Sequence, residues 1–378
     1  MTELLNVPQG EFTLNRLPKR ANELLRAWDA ADEFLLEMFA EQNGLAAQAR
    51  ILIVNDSFGA LAVALNTFHP TALSDSWLSQ QATRLNLQAN QIPEDHVGLI
   101  NSLEAPEGIF DWVLIKAPKT LALLEDQLIR IRPHLTADSK IVVAGMIKAL
   151  PSSVWKLLER LLGPTTTSLA QKKSRLIFCQ LDSSITLLNN PYPVTYQLEA
   201  TNFAITNHAN VFSRDSLDIG TRFFLQHLPV NQGLRDIVDL GCGNGVVGLI
   251  AASKNPQAVI HFVDESYMAV ASARINFQAM GDERQASFKI GDGLTDFKSE
   301  SVDLILCNPP FHQQHTVGDQ IAQSMFRQAL RVLRPKGELW VIGNRHLNYP
   351  VDLKKLFGNS TVVAANAKFT ILKSQKSK

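Results

Sequence analysis

One strand–turn–helix pattern is written twice along the chain. LRDIVDLGCGNGVVGLIAA (234–252) is a β-branched apolar run, a glycine-rich turn and an apolar helix, and IHFVDE (260–265) is a second strand ending in acid. The helical stretch SYMAVASARINFQAMG follows, then the strand SVDLILCNPP, the helix DQIAQSMFRQALRVLRPKG closed by Pro and Gly, and the strand ELWVIGN. Strands alternating with helices at this pitch predict a parallel, doubly wound α/β sheet. The first half repeats the order. ARILIVNDSFGALAVAL (49–65) places Gly59 on Gly245, and LSDSWLSQQATRLNL (73–87) places Asp75 on Asp264. FDWVLIKAPK (110–119) places Asp111 on Asp303, and LIRIRPHLTADSKIVVAG (128–145) places Pro133 on Pro335. The offsets are 186, 189, 192 and 202, drifting as small insertions would make them. Four landmarks in one order predict two α/β domains of the same fold in tandem, a duplication, and 378 residues leave room for both.

The stretch LDSSITLLNNPYPVTYQLEATNFAITNHANVF (181–212), rich in Asn, Pro and β-branched residues, reads as a linker containing a short antiparallel element. The expected boundaries are therefore a first domain over 1–180, a linker over 181–204 and a second domain over 205–378.

The halves differ where chemistry would happen. Gly241, Gly243 and Gly245 form GCGNG between a strand and a helix, so the backbone turns tightly and a ligand can approach it with no Cβ in the way. The spacing is GxGxG after Asp239-Leu240, not the GxGxxG that cradles a pyrophosphate. S-adenosylmethionine is the usual occupant of such a DxGxGxG loop, with Cys242 in its turn. Asp264, at the end of the next strand, is placed to accept both ribose hydroxyls, or to cap the following helix. Asp292 in KIGDGL is placed either to meet an adenine amino group or simply to make an Asp-Gly turn.

Asn308-Pro309-Pro310-Phe311 ends an almost wholly apolar strand. Two prolines lock φ and supply no N–H, so this corner does not continue the sheet. Asn308 Oδ1 and the Pro309 carbonyl can accept from a planar exocyclic –NH2, drawing its nitrogen lone pair out of conjugation, while Phe311 can stack on the ring. The alternative is a rigid turn that only ends a strand. Beside an activated methyl donor, proximity and orientation supply most of the catalysis and no strong general base is needed.

The first half fails these tests. Asn55 and Ser57 stand at the positions of Gly241 and Gly243, Phe58 fills the turn, and Lys116-Ala117-Pro118-Lys119 replaces the corner. Lys116, Lys119, Lys172, Lys173 and Arg175 are candidates for phosphate contacts, against the alternative of solubilising charge. Residues 1–200 hold 17 Lys and Arg against 21 Asp and Glu, the remainder 19 against 15, a mild imbalance compatible with a nucleic-acid partner and with an ordinary surface. Three cysteines without metal-ligand spacing, and His312 and His315 without a third ligand, predict no metal site. Cys242 and Cys307 also suit small core or loop fillers. No long apolar run predicts a membrane span, and no signal peptide is visible, so the expected location is cytoplasmic. Oligomeric state is not legible.

VFSRDSLDIG, VDLGCGNGVVG, FVDES, CNPPFH, RPKGELWVIGNRHLNYP and FTILKSQK together resemble the bacterial ribosomal RNA guanine-N2 methyltransferases, strongly over 205–378 and more loosely over 10–180. The wording is closest to the large-subunit (23S) type rather than the small-subunit (16S) type. The resemblance implies two tandem Rossmann-like class I methyltransferase domains, the N-terminal one degenerate. It implies S-adenosylmethionine held around the glycine loop and Asp264, and the guanine amino group held at Asn308-Pro309-Pro310-Phe311. It also implies a first domain that supports folding and holds ribosomal RNA. NPPY-type corners also serve DNA adenine-N6 and protein-glutamine methyltransferases, and a non-catalytic RNA-binding factor is a third reading.

Overall fold

The computed structural model describes residues 3–19, 24–42, 46, 48–186, 189–281, 284–310 and 315–377, with 315–319 by backbone alone. The chain forms two units, Met1–Tyr192 and Pro193–Lys378.

The first unit opens with an antiparallel hairpin, β1 (Glu3–Val7) and β2 (Gly10–Leu14), followed by helix α1 (Ala30–Ala40). Alternation then sets in: β3 (Ile51–Val54), α2 (Ala60–Ala64), β4 (Thr71–Ser74), α3 (Trp77–Ala89), β5 (Gly98–Asn101), β6 (Trp112–Lys116), α4 (Leu121–Ile131), β7 (Lys140–Met146) and α5 (Ser152–Leu161). The strands β8 (Thr165–Thr167) and β9 (Ser174–Cys179) complete a seven-stranded sheet in the order β5-β4-β3-β6-β7-β9-β8. Strands β5 to β7 run parallel, and β9 returns antiparallel to β7.

The second unit has the same plan. A hairpin of β10 (Val194–Gln197) and β11 (Ala204–Asn207) precedes α6 (Ile219–Gln226). Then come β12 (Asp236–Leu240), α7 (Val246–Lys254), β13 (Val259–Asp264), α8 (Tyr267–Gln278), β14 (Ala286–Ile290), β15 (Val302–Cys307), α9 (His315–Val332), β16 (Leu333–Asn344), α10 (Tyr349–Phe357), β17 (Thr361–Ala365) and β18 (Phe369–Gln375). The sheet order β14-β13-β12-β15-β16-β18-β17 reproduces the first strand for strand. The two tandem Rossmann-like sheets expected from the repeat are therefore present.

Central parallel strands are covered on both faces, which is why they read as unbroken apolar runs. In β3, Ile51 and Ile53 join one core cluster with α1, while Leu52 and Val54 join the other with α4 and α5. In β15, Leu304 and Leu306 face one cluster, and Ile305 and Cys307 the other. The repeated acids have one job in both units. Asp111 Oδ2 accepts from Arg50 N (2.7 Å), and Asp303 Oδ2 from Arg235 N (2.8 Å), tying the start of one strand to its neighbour.

Two details depart from the sequence reading. Pro335 and Gly337 do not form a separate turn closing the helix; they lie in the irregular start of β16, where the register against β15 shifts between Val302 and Leu304. The short antiparallel element expected in 181–212 is the β10–β11 hairpin, but it is built into the second unit rather than standing in a linker. Asn276 of α8 accepts from Thr206 N (2.7 Å) and donates to Thr206 O and to Asn244 O (2.9 Å each). Asn86 of α3 does the same for the first hairpin, accepting from Asn15 N (2.8 Å) and donating to Asn15 O (2.9 Å) and Phe58 O (2.8 Å). One buried asparagine in each unit pins a hairpin to the turn after the first strand of the alternating sheet.

Candidate active site

Register brings the candidate residues of the second unit together. Leu240 pairs with Val263 on one side and Cys307 on the other, so Gly241, Asp264 and Asn308 each follow directly at one end of three adjacent strands. In open α/β sheets ligands bind at this edge, beside the strand where the winding reverses.

The three loop glycines have different reasons to be glycine. Gly241, Gly243 and Gly245 all take positive φ (+71°, +53° and +79°). A Cβ on Gly245 would lie 2.7 Å from Ala273 Cβ, so this glycine lets α7 approach α8. A Cβ on Gly243 would meet nothing within 4 Å; the backbone there borders open space. The first unit separates the roles again. Gly59, the counterpart of Gly245, is retained at φ +82° with Thr83 just 2.8 Å from its missing Cβ, whereas the other two positions have become Asn55 and Ser57. What packing needs stayed, and what only open space needs was lost.

Around the loop the acids are held by backbone donors. Asp264 Oδ2 accepts from Gly243 N (2.9 Å) and Oδ1 from Ser266 N (3.0 Å). Ser266, not Asp264, caps α8 through Ala269 N (3.1 Å), which removes the capping alternative for Asp264. Burial raises the Asp264 carboxyl above its ordinary value, against these N–H groups. Asp239, almost wholly buried, accepts from Gly248 N (2.8 Å), and burial together with the Asp264 charge pushes it up to about 8. The Asp292 carboxylate makes no hydrogen bond among the described residues; burial and then Asp296 raise its pKa. Cys242 sends its side chain into the core, so only its backbone borders the loop, and burial holds its thiol and that of Cys307 well up.

At the end of β15, Asn308 Nδ2 donates to Thr221 Oγ1 of α6 (3.0 Å), and Asn308 Oδ1 is covered yet has no hydrogen-bond partner among the described residues. A buried amide oxygen without a partner costs free energy unless a ligand supplies the donor. Pro309 is buried and Pro310 exposed. Phe311 and His312 lie outside the described residues, as does the side chain of His315. Among the described residues no cluster of His, Cys, Asp and Glu could hold a metal ion, and no helix is long and apolar enough to cross a membrane.

The first unit fills the corresponding positions. Asn55, at φ +64°, exchanges amide hydrogen bonds with Gln127 (2.8 Å each way). Asp56 takes four backbone N–H groups of the α2 turn, from Gly59 to Ala62, at 2.9–3.1 Å. Lys116, the counterpart of Asn308, corrects the phosphate-contact reading. Its ammonium is buried between Asp29 and Asp32 of α1, 2.7 Å from each, and the two carboxylates raise its pKa against the pull of burial. Its ammonium is engaged by these two carboxylates. Lys172 is tied to Glu33 at 2.7 Å while remaining exposed, Lys119 and Lys173 are exposed, and the Nε of Arg175 is buried without a partner.

A test of Lys116 follows. Lys116→Ala strands two carboxylates, and breaking a buried pair commonly costs 3–5 kcal/mol. Here the expected loss is nearer 2 kcal/mol, because Asp29 is about half exposed and burial already lifts Asp32 to about 6, so a proton can replace the lysine. Urea unfolding of wild type and variant measures it, and a variant as stable as wild type would deny the pair a structural role.

Residues 2–183 match the family described as RLMG N-terminal domain, and residues 202–373 the family described as Methyltransferase small domain. Over 375 residues the chain is 50% identical to the ribosomal RNA large subunit methyltransferase G of Stutzerimonas stutzeri, covering 99% of both chains. It is 47% identical to the protein of the same name from Streptomyces avermitilis over 381 residues, with 100% of both covered. The chain belongs to the ribosomal RNA large subunit methyltransferase G family. It is a methyltransferase dependent on S-adenosylmethionine. Within this methyltransferase G chain, the N-terminal family match spans the unit whose loop and corner are filled, and the methyltransferase match spans the unit that keeps the glycine loop and Asn308. The fold is shared by the solved T. thermophilus 16S rRNA N2 G1207 methyltransferase (RsmC), with a TM-score of 0.78, 21% identity, and coverage of 99% of this chain and 97% of that one.

Sequence reasoning assigned no role to Asp218, Asn244 or Asn276. Asn244 is buried, donates to Asn207 Oδ1 (2.8 Å) and accepts from Val246 N (3.2 Å), so it joins hairpin, loop and helix. For Asp218 and Asn244 the local signal was an Asx at a helix start or in a turn, and such residues recur at any cap; Asn276, inside α8, carries no such signal.

Proposed function

We propose that the second unit transfers a methyl group from S-adenosylmethionine to the exocyclic N2 of a guanine in 23S ribosomal RNA. The observation that carries this reading is the covered, unpartnered Oδ1 of Asn308 one strand away from the glycine loop. The loop fits the cofactor, since Gly243 borders space that a Cβ would intrude on and Asp264 stands beside it. Gly241, Gly243, Asp264 and Asp292 would hold S-adenosylmethionine, Asp239 would brace the loop from behind, and Cys242 would contribute backbone alone. The bound cofactor supplies a methyl group already activated on a sulfonium. Asn308 Oδ1 and the Pro309 carbonyl would then accept the two N–H groups of the amino nitrogen, leaving its lone pair free for attack. The name shared by the full-length relatives supports large-subunit RNA as the substrate. Of the first unit's candidate phosphate contacts, Lys119, Lys172 and Lys173 are exposed and would be the ones to meet RNA, and that unit would otherwise support folding.

Labelled S-adenosylmethionine, 23S and 16S RNA, and nucleoside analysis of the product test the assignment. N2-methylguanosine recovered from 23S RNA is the expected result. Label found instead in 16S RNA, in N6-methyladenosine or in protein would overturn it.

A further inference from the structure

The side chain of Asn308 is an amide, and only one of its two orientations serves an amino acceptor. Three residues decide which. Asn308 Nδ2 lies 3.0 Å from Thr221 Oγ1, and Thr221 Oγ1 lies 3.3 Å from Asp218 Oδ2. A hydroxyl has one proton, and a carboxylate can only accept. The Thr221 proton therefore points to Asp218, and its lone pairs face Asn308. Only the –NH2 end of the amide can meet them; the flipped amide would set two oxygens against each other. Thr221 is itself well buried, at 6% exposure, so water does not take over this role. The carbonyl is left pointing away from Thr221, where it is covered and unpartnered.

The first unit shows that the fold, and not chance, puts these three positions in contact. Asp29 caps α1 as Asp218 caps α6, and Asp32 stands three residues on, as Thr221 does. Lys116 at the end of β6 reaches both aspartates, as Asn308 at the end of β15 reaches Thr221.

We propose that Asp218 and Thr221 are positioning residues that set the polarity of the Asn308 amide, so that Oδ1 rather than Nδ2 is presented to the amino group of the methyl acceptor. This rests on the role given to Asn308 above. Neither residue touches the reacting atoms; each acts through Asn308.

Thr221→Val tests it, because valine keeps the shape and keeps the backbone N–H that donates to Asp218 (2.8 Å), removing only the hydroxyl. The expected result is a fall of about 10- to 100-fold in kcat, the effect of a misplaced reacting group, with KM for RNA, S-adenosylmethionine affinity and thermal midpoint unchanged. Thr221→Ser restores the hydroxyl and with it most of the rate. Asn308→Ala is measured alongside. If Asn308→Ala is crippled while Thr221→Val stays within a few-fold of wild type, the relay is wrong and the acceptor corner stands. If Thr221→Ser is as slow as Thr221→Val, side-chain bulk and not hydroxyl polarity matters, and the proposal falls. If Asn308→Ala itself keeps its rate, the assignment of Asn308 fails first and takes the relay with it. Should the valine variant fold poorly, Thr221→Ala, which only removes atoms, is read by the same criteria.

Discussion

Asn308→Ala is expected to slow methyl transfer by roughly 30- to 1000-fold, the range for losing one hydrogen bond to a polar transition state, about 2–4 kcal/mol, while S-adenosylmethionine binds as before. The separation follows from placement. Asn308 stands at the end of β15 with its side chain donating to Thr221, whereas the backbone of the glycine loop is anchored to β13 through Val263 O and Asp264. Removing the amide leaves that loop untouched. Single-turnover rates with saturating RNA, beside calorimetric titration of the cofactor, measure the two quantities independently. A rate within a few-fold of wild type would show that the covered carbonyl takes no part in the reaction.

Gly243→Val is expected to do the reverse and remove cofactor binding. The space beside Gly243 is open, with no described atom within 4 Å of an added Cβ, so the side chain enters the region where a ligand would approach the backbone. Its φ of +53° also disfavours a β-branched residue by about 1–2 kcal/mol, a strain the buried strands around it should tolerate. Gly245→Ala is the informative contrast. That Cβ would press on Ala273 at 2.7 Å, so stability should fall. Titration with S-adenosylmethionine and urea unfolding separate the pair. Unchanged cofactor affinity in Gly243→Val would place the donor elsewhere.

The topology was legible because a parallel strand buried on both faces leaves no freedom in composition. ILIV and LILC have no other plausible setting, and the acids Asp111 and Asp303 recur because each ties a neighbouring strand. The loop was legible as a motif but not as three separate glycines. Sequence pattern treats Gly241, Gly243 and Gly245 alike, and only the neighbouring α8 shows that the last is there for packing. Charges read worst. Lys116 reads as a free cation because Asp29 and Asp32 lie more than eighty positions away, and burial, not residue type, decides whether a lysine meets solvent or a carboxylate. The orientation of Asn308 was hidden for the same reason, its partner being 87 residues off.

The buried lysine and its two aspartates also bear on history. Asp29 has its counterpart in Asp218, so the first copy differs from the second here by two charges, Asp32 for Thr221 and Lys116 for Asn308, and the two now depend on each other. Lys116→Asn alone would restore the amide but leave Asp29 and Asp32 facing each other beneath it, and Asp32→Thr alone would remove one of the two counter-ions of a buried ammonium. Each single reversion strands a charge that the other residue now balances. The filled corner is thus held by its own electrostatics: neither Lys116 nor Asp32 can take its counterpart's residue without unbalancing the other.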